Sequence, residues 1–459
     1  MRTERRTFLK QAAAAGSLLG LPRILRAEDA RAPGGKPQSP TNIILFMTDD
    51  QGWFHVGYNG HPVLKTPNID ALCANGLRLD RFYAASPVCG PTRAGIMTGT
   101  HMYRLQGRGA GKGHGARLNP KERGMAQVLK EAGYATAHYG KYHLGPRHRD
   151  FGFDEWCFSG NYYEAGATLT NHKGEKVTIE GDGSVAVTKM AIEFIGRQVK
   201  SNKPFFTVIW TGSPHSPHRP VEQDVEPYLG KGGARYYGEI AGADRAVGIL
   251  RKGLRDLKVA DDTLIWFCSD NGPDNPGGSP LRGHKRDVLE GGLRVPGCIE
   301  WPAAIKPGSH SAMPVSALDM LPTLAPLAGV RDIKSNGPID GIDVGDLLRG
   351  TMKERSRPIP FQWHETYGLI DNRYKIIVGD PSPMGGGGGR KGRKKGGGRK
   401  GRKKGGGDKV VRSPKSGEVY LYDIVKDPGE KKNLAKTEPR ILADLLARAK
   451  KWYKEAMPG

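Results

Sequence analysis

Four short apolar segments, each followed at once by polar residues, constrain the fold of this chain more than any other feature of its sequence. They span residues 41–47, 134–139, 205–211 and 263–269. Short apolar runs bounded by polar residues are typical of strands that are buried on both faces of a parallel sheet. The carboxyl ends of such strands lie along one edge of the sheet, and ligands bind there. The polar residues behind the four segments are therefore expected to converge.

Apolar residues at helical spacing separate the four segments. Asn119 has the features of a helix N-cap, with Pro120 in the first turn and Glu122 as the acidic partner. Gly133 is a natural helix stop, and a second apolar stripe with a spacing of three or four covers residues 240–257. The alternation of strands and helices predicts an α/β fold, with a large, mostly parallel sheet sandwiched by helices.

The residues expected at this sheet edge combine acids, amides and bases. They are Asp49, Asp50, Lys141, His143, His215, Asp270 and Asn271, together with Lys285. Carboxylate and amide oxygens suit Ca²⁺ or Mg²⁺ better than zinc, and Lys and His suit an anionic substrate and proton transfer. Each residue alone has an ordinary structural interpretation, since paired Asp often form turns or helix caps and a His after Pro is usually exposed. Their shared position behind strands favours a site.

A further motif lies between the first two segments, from Ser86 to Gly99, and reads SPVCGPTRAGIMTG. Pro91 favours a helix start, which places Cys89 at the positive end of a helix. Arg93 adds a fixed cation beside it. A buried apolar cysteine next to a turn is the structural alternative. The motif resembles the C-x-P-x-R signature of type I sulfatases, in which the cysteine is oxidised to formylglycine and the hydrated aldehyde supplies the nucleophile.

The resemblance extends along nearly the whole mature chain. The matching blocks are NIILFMTDDQGW, GKYHLG, WTGSPHSPHRP, FCSDNGP, LRGHKRDVLEGGLRVP, SALDMLPTLAPLAGV and YLYDIVKDPGEKKNLA. The chain departs from the family at Tyr142, where a Trp is usual. The resemblance implies an alkaline-phosphatase-like catalytic domain over 41–330. It also implies a smaller α+β subdomain with a short antiparallel sheet over 331–459.

The same resemblance implies roles for the individual residues. The Ca²⁺ ligands would be Asp49, Asp50, Asp270, Asn271 and the formylglycine made from Cys89, with Mg²⁺ less favoured. Arg93, Lys141 and Lys285 would neutralise the transferring sulfuryl group. His215, with Lys285, would protonate the leaving alcohol, and His143 would contact the second hydroxyl. His218 competes with His215 for the catalytic role within SPHSPHRP, and otherwise lines the substrate pocket.

The predicted function is therefore hydrolysis of a sulfuric ester, with a sulfated carbohydrate or polysaccharide fragment as substrate and a formylglycine-generating maturase as partner. The alternative on the same fold is a phosphoester or phosphonate monoester hydrolase. A third hypothesis is a polyanion-binding protein with a vestigial site. Loops 146–181 and 212–238 are expected to determine specificity.

The N-terminus resembles an export signal. Residues 1–27 combine a basic start, which resembles a twin-arginine motif, with a short apolar stretch and a small residue at the cut site. Residues 28–40 would be a linker. The predicted location is periplasmic or extracellular, and no stretch reaches the ~20 apolar residues of a membrane span. The five cysteines have no metal or redox spacing and select no disulfide.

The formal net charge is +24, from 71 Lys plus Arg against 47 Asp plus Glu. Ten of these positive charges lie in two copies of RKGRKKGGG at 390–407, and the 1–27 leader has six basic residues and one acid. The remaining +9 is too small to favour a nucleic-acid-binding fold. The Gly, Lys and Arg insert at 385–407 is predicted to be a disordered loop. It is interpreted as a solvated insertion, with polyanion capture as the alternative.

Overall fold

A computed structural model describes residues 42–111, 116–145, 148–161, 163–380 and 418–456. The predicted export signal at 1–27, the linker at 28–40 and the insert at 385–407 lie outside the described residues. All five cysteines are described, and all are buried and free.

The strands form one large sheet and two smaller ones. In chain order they are β1 Asn42–Thr48, β2 Leu77–Leu79, β3 Phe82–Tyr83, β4 Ala135–Lys141, β5 Glu155–Ser159, β6 Thr168–Asn171, β7 Lys176–Thr178, β8 Phe205–Trp210, β9 Thr263–Ser269, β10 Arg294–Val295, β11 Gly297–Glu300, β12 Ser309–Ser311, β13 Val315–Ser316, β14 Ile359–Trp363, β15 Thr366–Ile370, β16 Tyr374–Val378 and β17 Val419–Asp423. The large sheet has ten strands in the order β12-β2-β11-β9-β1-β8-β4-β5-β6-β7.

The centre of the large sheet is parallel, as the four apolar segments predict. Strand β1 pairs in parallel with β9 on one side and with β8 on the other, and β4 pairs in parallel with β8 and β5. Strands β6, β7 and β11 are antiparallel to their neighbours, so the sheet is mixed at its flanks. The four predicted strands are therefore contiguous, and their carboxyl ends share one edge.

Helices cover both faces of this sheet. They are α1 Pro67–Ala74, α2 Cys89–Thr98, α3 Met102–Gly107, α4 Met125–Glu131, α5 Gly183–Lys200, α6 Glu222–Val225, α7 Ala234–Asp256, α8 Glu290–Leu293, α9 Met320–Leu327, α10 Gly345–Leu348 and α11 Pro439–Ala456. Short 3₁₀ helices span Gly57–Asn59, Arg149–Phe151, Glu226–Tyr228 and Ala317–Asp319. Among the helices of the described residues, none is both long and apolar enough to cross a bilayer.

Alternate residues of β1 enter two different hydrophobic cores, which shows that the sheet is sandwiched. Ile43 and Leu45 pack with the residues of α2, α4 and α9. Ile44 and Phe46 pack on the opposite face with the residues of α1, α5 and α7. Both faces of a central strand are thus apolar, and each fully buried side chain contributes about 1.5–3 kcal/mol relative to exposure. This explains why the strand segments read as continuous apolar runs.

A separate four-stranded antiparallel sheet, β14-β15-β16-β17, follows in the chain. One face packs against the part of the molecule that contains the large sheet, where Phe361 and Ile377 meet Val88 and Leu289. Helix α11 covers the other face. The predicted large α/β sheet and smaller antiparallel sheet are both confirmed.

Two element boundaries differ from the predictions. Strand β4 continues through Lys141, so Gly140 and Lys141 belong to the strand itself. Helix α4 begins at Met125, and the predicted start at Asn119 is wrong. Asn119 closes a tight turn with Lys121 instead, and Glu122 pairs with Arg108.

Candidate active site

The paired acids after β1 are fixed by the neighbouring strands. The Asp49 amide donates to the Ser213 carbonyl at 3.0 Å, beyond the end of β8. The Asp50 amide donates to the Asp270 carboxylate at 3.1 Å, beyond the end of β9. Asp50 has a φ of +67°, a left-handed conformation that its short polar side chain tolerates. Both acids are buried, so this edge of the sheet concentrates negative charge in the interior.

Cys89 lies beside these acids as the first residue of α2. Its Sγ is 3.3 Å from Asp49 Oδ1 and 3.8 Å from Asp50 Oδ1. Burial raises the pKa of the thiol well above its ordinary value, and the carboxylates of Asp270 and Asp49 raise it further. A thiol in this position therefore stays protonated at neutral pH, and a protonated thiol is a poor nucleophile.

Three buried cations surround the acids. The Arg93 guanidinium, one turn after Cys89, lies 2.7 Å from the Asp270 carboxylate and 3.3 Å from that of Asp49. The Lys141 ammonium contacts the Asp49 carboxylate, and Lys285 Nζ lies 2.6 Å from Asp50 Oδ2.

The cations act unequally on the paired acids. Burial alone would raise the pKa of Asp49, but the adjacent Lys141 and Arg93 outweigh it and hold the pKa well below its ordinary value. Burial and the Asp49 carboxylate raise the pKa of Asp50. Asp49 is thus the more firmly ionised of the two.

The predicted histidines lie at different depths. His215 Nε2 is 3.8 Å from Asp50 Oδ2, and its ring is partly exposed. Burial, with the nearby Lys141 and Arg93, lowers the pKa of His143 to about 3, so this imidazole is neutral. His218 is farther out, where its ring meets Tyr236 edge-on at 5.3 Å between centroids. The structure therefore brings His215 to the acids and places His218 among aromatic residues.

A cavity of about 670 Å³ opens onto Asp50. Its other lining residues are His55, Pro214, Ser216, His218, Gly232, Gly233, Ala234, Arg235, Tyr236, Tyr237, Asp274, Asn275 and Gly277. The predicted specificity loop 212–238 supplies most of this wall. Of the described part of the predicted loop 146–181, no residue lines the cavity.

The carboxylate and amide oxygens of the site suit a hard cation. The ligand atoms of Asp49, Asp50, Cys89 and His215 all lie within 4.8 Å of one another. Asn271 donates through Nδ2 to Asp50 Oδ1 at 2.6 Å. Its Oδ1 is buried and, within the described part of the chain, has no hydrogen-bond partner. A buried amide oxygen beside carboxylates is a ligand type that Ca²⁺ prefers.

Two residues that support the site carry little or no signal in the sequence. The Tyr236 hydroxyl donates to the Asp50 carbonyl at 2.9 Å. Buried Glu239 accepts from the Ser213 hydroxyl and from the Arg219 amide, so it fixes the segment that carries His215. The only signal for Glu239 was an acid next to Ile240 in an apolar helical stripe. Tyr236, in the first turn of the same helix, gave none.

The chain is similar to several known proteins. A family model described as Sulfatase matches residues 41–330. The N-acetylgalactosamine-6-sulfatase of Canis lupus familiaris is 33% identical over 362 residues, which cover 70% of this chain and 68% of that protein. Arylsulfatase A of Homo sapiens is 32% identical over 390 residues, which cover 75% and 74% of the two chains. The crystal structure of Ps i-CgsB in complex with k-i-k-neocarrahexaose aligns with a TM-score of 0.77 and 27% identity, over 92% of this chain and 94% of that one.

Proposed function

This chain belongs to the sulfatase family and has its alkaline-phosphatase-like fold. We therefore propose that it hydrolyses the sulfate ester of a sulfated carbohydrate, with residue 89 as the source of the nucleophile. The observation that carries the proposal is the position of Cys89, with its Sγ 3.3 Å from the Asp49 carboxylate at a helix N-terminus. Arg93, Lys141 and Lys285 are buried around the same acids. A sulfuryl group needs such a concentration of positive charge.

The Cys89 thiol is protonated and is therefore a poor nucleophile. This supports a mechanism in which Cys89 is first converted to formylglycine. When formed and hydrated, formylglycine supplies two hydroxyls, one as the nucleophile toward sulfur and one whose deprotonation later releases sulfate. Its formation by a maturase would be an oxidation, in which the Cβ–S bond of Cys89 breaks, sulfur leaves, a C=O bond forms and an oxidant supplied in the maturase reaction takes up two electrons. Mass spectrometry of the tryptic peptide detects the resulting aldehyde. We expect the unconverted protein to have little activity.

The buried cations would act on the sulfuryl group by position and charge. Arg93 is locked by Asp270 and by the Lys141 carbonyl, to which it donates at 2.8 Å. It therefore presents a fixed cation whose placement costs no reorganisation during the reaction. Lys141 and Lys285 approach from two other segments, so the sulfuryl oxygens would meet positive charge on several sides.

Proton transfer falls to the histidines and Lys285. His215, beside Asp50 and partly exposed, can reach the leaving oxygen and protonate it together with Lys285. Neutral His143 can accept a hydrogen bond from the second hydroxyl at residue 89, whose deprotonation returns the site to its starting state.

The metal ligands in this proposal are Asp49, Asp50, Asp270, Asn271 and the oxidised residue 89. When bound, Ca²⁺ supplies a Lewis acid beside the nucleophile and the sulfuryl oxygens. The buried, unpartnered Asn271 Oδ1 within the described residues is the observation that favours an oxygen-coordinated ion.

A carbohydrate substrate fits the cavity beyond Asp50. The rings of His218, Tyr236 and Tyr237 form part of its wall. Aromatic faces beside polar groups are a common surface for sugar rings. The similar N-acetylgalactosamine-6-sulfatase is named for a sulfated sugar, which supports the same substrate class here. We also infer export through residues 1–27, which places the enzyme where sulfated polysaccharides are found.

Matched para-nitrophenyl sulfate and para-nitrophenyl phosphate test the reaction class. We expect the protein, purified from a host with an active maturase, to hydrolyse the sulfate with at least a hundredfold higher kcat/KM. Equal rates, or faster phosphate hydrolysis, would support the phosphoester or phosphonate hydrolase alternative. Release of sulfate from a panel of defined sulfated sugars then identifies the substrate.

A further inference from the structure

Three fully buried ionisable side chains lie together outside the site, where the antiparallel sheet packs against the catalytic part of the molecule. Lys375 of β16 places its Nζ 3.0 Å from Glu290 Oε1 and 3.0 Å from Glu430 Oε1. The Tyr83 hydroxyl donates to the second Glu290 oxygen at 3.0 Å. Buried carboxylates and ammonium groups persist only when they are paired, so this cluster holds its members in one arrangement.

The cluster also fixes the backbone of the catalytic part. Glu290 is the first residue of α8, and its amide donates to Glu430 Oε2 at 2.7 Å. Arg282 donates to the Glu430 carbonyl at 3.0 Å. A helix of one turn has no stability of its own, so its position depends on such contacts. Segment 281–293 is thereby anchored to Glu430 at two points, Arg282 and Glu290.

Segment 281–293 carries Lys285 and contacts the chain just after Asn271. The Lys285 amide donates to the Pro273 carbonyl at 2.8 Å, and the Gly272 amide donates to the Gly292 carbonyl at 3.0 Å. A Cβ on Gly272 would lie 1.9 Å from the Gly291 carbonyl oxygen. The two backbone segments are thus in direct contact, with no space for a side chain between them. A shift of α8 would therefore move the neighbouring residues of the site.

We propose that Lys375 is a positioning residue for the active site, which acts through Glu290 and Glu430 to place Lys285. The inference rests on the proposed function, because Lys285 is assigned there to the sulfuryl group and the leaving alcohol. The antiparallel sheet, which supplies no ligand to the described cavity at Asp50, thus takes part in catalysis through this cluster.

Lys375→Met tests the proposal, with Arg251→Met as the matched control. Arg251 forms a largely buried bidentate pair with Glu300, between α7 and β11. Both variants break an ion pair, but only Lys375→Met disturbs segment 281–293. We expect kcat/KM for para-nitrophenyl sulfate to fall at least about tenfold in Lys375→Met, since small misplacements of catalytic groups are costly. Arg251→Met should stay within about twofold of wild type.

A double-mutant cycle with Lys285→Met separates positioning from general destabilisation. If Lys375 acts through Lys285, the double variant should be no slower than Lys285→Met, within about twofold. If the fold losses in kcat/KM of the two single variants instead multiply in the double variant, the proposal is overturned. Should Lys375→Met fail to fold, Glu430→Gln replaces it in the cycle, because it nearly keeps the side-chain volume and removes the carboxyl group that pairs with Lys375.

Hydrogen exchange gives a readout that does not depend on activity. We expect the amides of 281–293 to exchange faster in Lys375→Met than in wild type or Arg251→Met, and unchanged exchange would overturn the proposal. A wild-type protein that hydrolyses no sulfate ester would instead contradict the proposed function, while faster exchange in the variant would still support the positioning role.

Discussion

Cys89 illustrates how the surroundings of one residue determine its chemistry. Buried among carboxylates, it has the opposite setting from a reactive cysteine, which needs a lowered pKa and exposure. The nearby Lys141 lowers the pKa of this thiol, but burial and the carboxylates of Asp270 and Asp49 outweigh it. An oxygen nucleophile made from the same residue avoids this penalty, and we therefore treat Cys89 as a precursor.

The two histidines of SPHSPHRP can be separated by their effects on kinetics. We expect His215→Gln to lower kcat by about a hundredfold or more for esters of poor leaving alcohols, and less for activated aryl esters, since general acids contribute most to poor leaving groups. His218→Gln is the matched comparison. It should raise KM with kcat nearly unchanged, because His218 contacts Tyr236 in the cavity wall. Leaving-group dependence measured over a series of aryl sulfates checks this, and the reverse pattern would exchange the two roles.

At the scale of elements, the site depends on how closely β4 and β8 approach each other. Gly140 has a φ of +104°, and a Cβ there would lie 2.1 Å from the Trp210 carbonyl oxygen. Only glycine fits both restrictions. The next residue is Lys141, so this close contact also positions a cation of the site.

Gly140→Ala is therefore expected to destabilise the protein by about 3 kcal/mol or more, through clash and backbone strain together. Gly133→Ala is the matched control, with a φ of +94° but no atom within 4 Å of the added Cβ. Gly133→Ala should lower the free energy of unfolding by only about 1–2 kcal/mol, from the strain of a left-handed backbone. Denaturant unfolding of both variants measures the difference, and equal losses would show that the Trp210 contact relaxes.

The sequence predicted the elements whose signals are local. The apolar run of β9 was predicted with its observed bounds, because burial on both faces makes a strand visible in its own composition. The predicted helix start at Asn119 was wrong because its capping pattern also fits a turn, and Glu122 forms an ion pair with Arg108 instead.

The site was predictable as far as its residues follow strands. The contacts between distant segments were not. Glu290 and Lys375 are separated by 85 residues, and Glu290 and Glu430 by 140. No periodicity or spacing links residues that far apart. Tyr236 was hidden for a similar reason, because its link to Asp50 runs between two elements and leaves no local pattern.

At the scale of the whole molecule, the acidic edge of the sheet predicts a response to Ca²⁺. Binding to the folded state alone adds about 2.7 kcal/mol to the unfolding free energy when the free ion is a hundredfold above Kd. We expect Ca²⁺ to raise Tm and EGTA to lower both Tm and activity, with a smaller effect of Mg²⁺. Asp270→Asn should lose this shift, whereas Asp256→Asn, at an exposed pair with Lys252, should keep it. A Tm that is the same with and without Ca²⁺ would contradict the proposed metal ligands.

The net charge of +24 is spread unevenly over the chain, and the 385–407 insert carries ten of the basic residues. Strands β16 and β17, which flank it in the chain, are paired at Val378 and Val419. Deletion of 385–407 should therefore leave the sheet intact and the hydrolysis of para-nitrophenyl sulfate unchanged. We expect only earlier elution from a heparin column, which a length-matched Gly and Ser replacement should reproduce. Loss of small-ester hydrolysis would contradict this independence.

In this mechanism Cys89 is the source of the nucleophile. The rate of para-nitrophenyl sulfate hydrolysis by wild type and by Cys89→Ala, both purified from a host with an active maturase, decides whether it is. Wild type should turn over the ester, while Cys89→Ala, folded to the same Tm, should fall to the background rate. Hydrolysis that survives in Cys89→Ala would contradict the account.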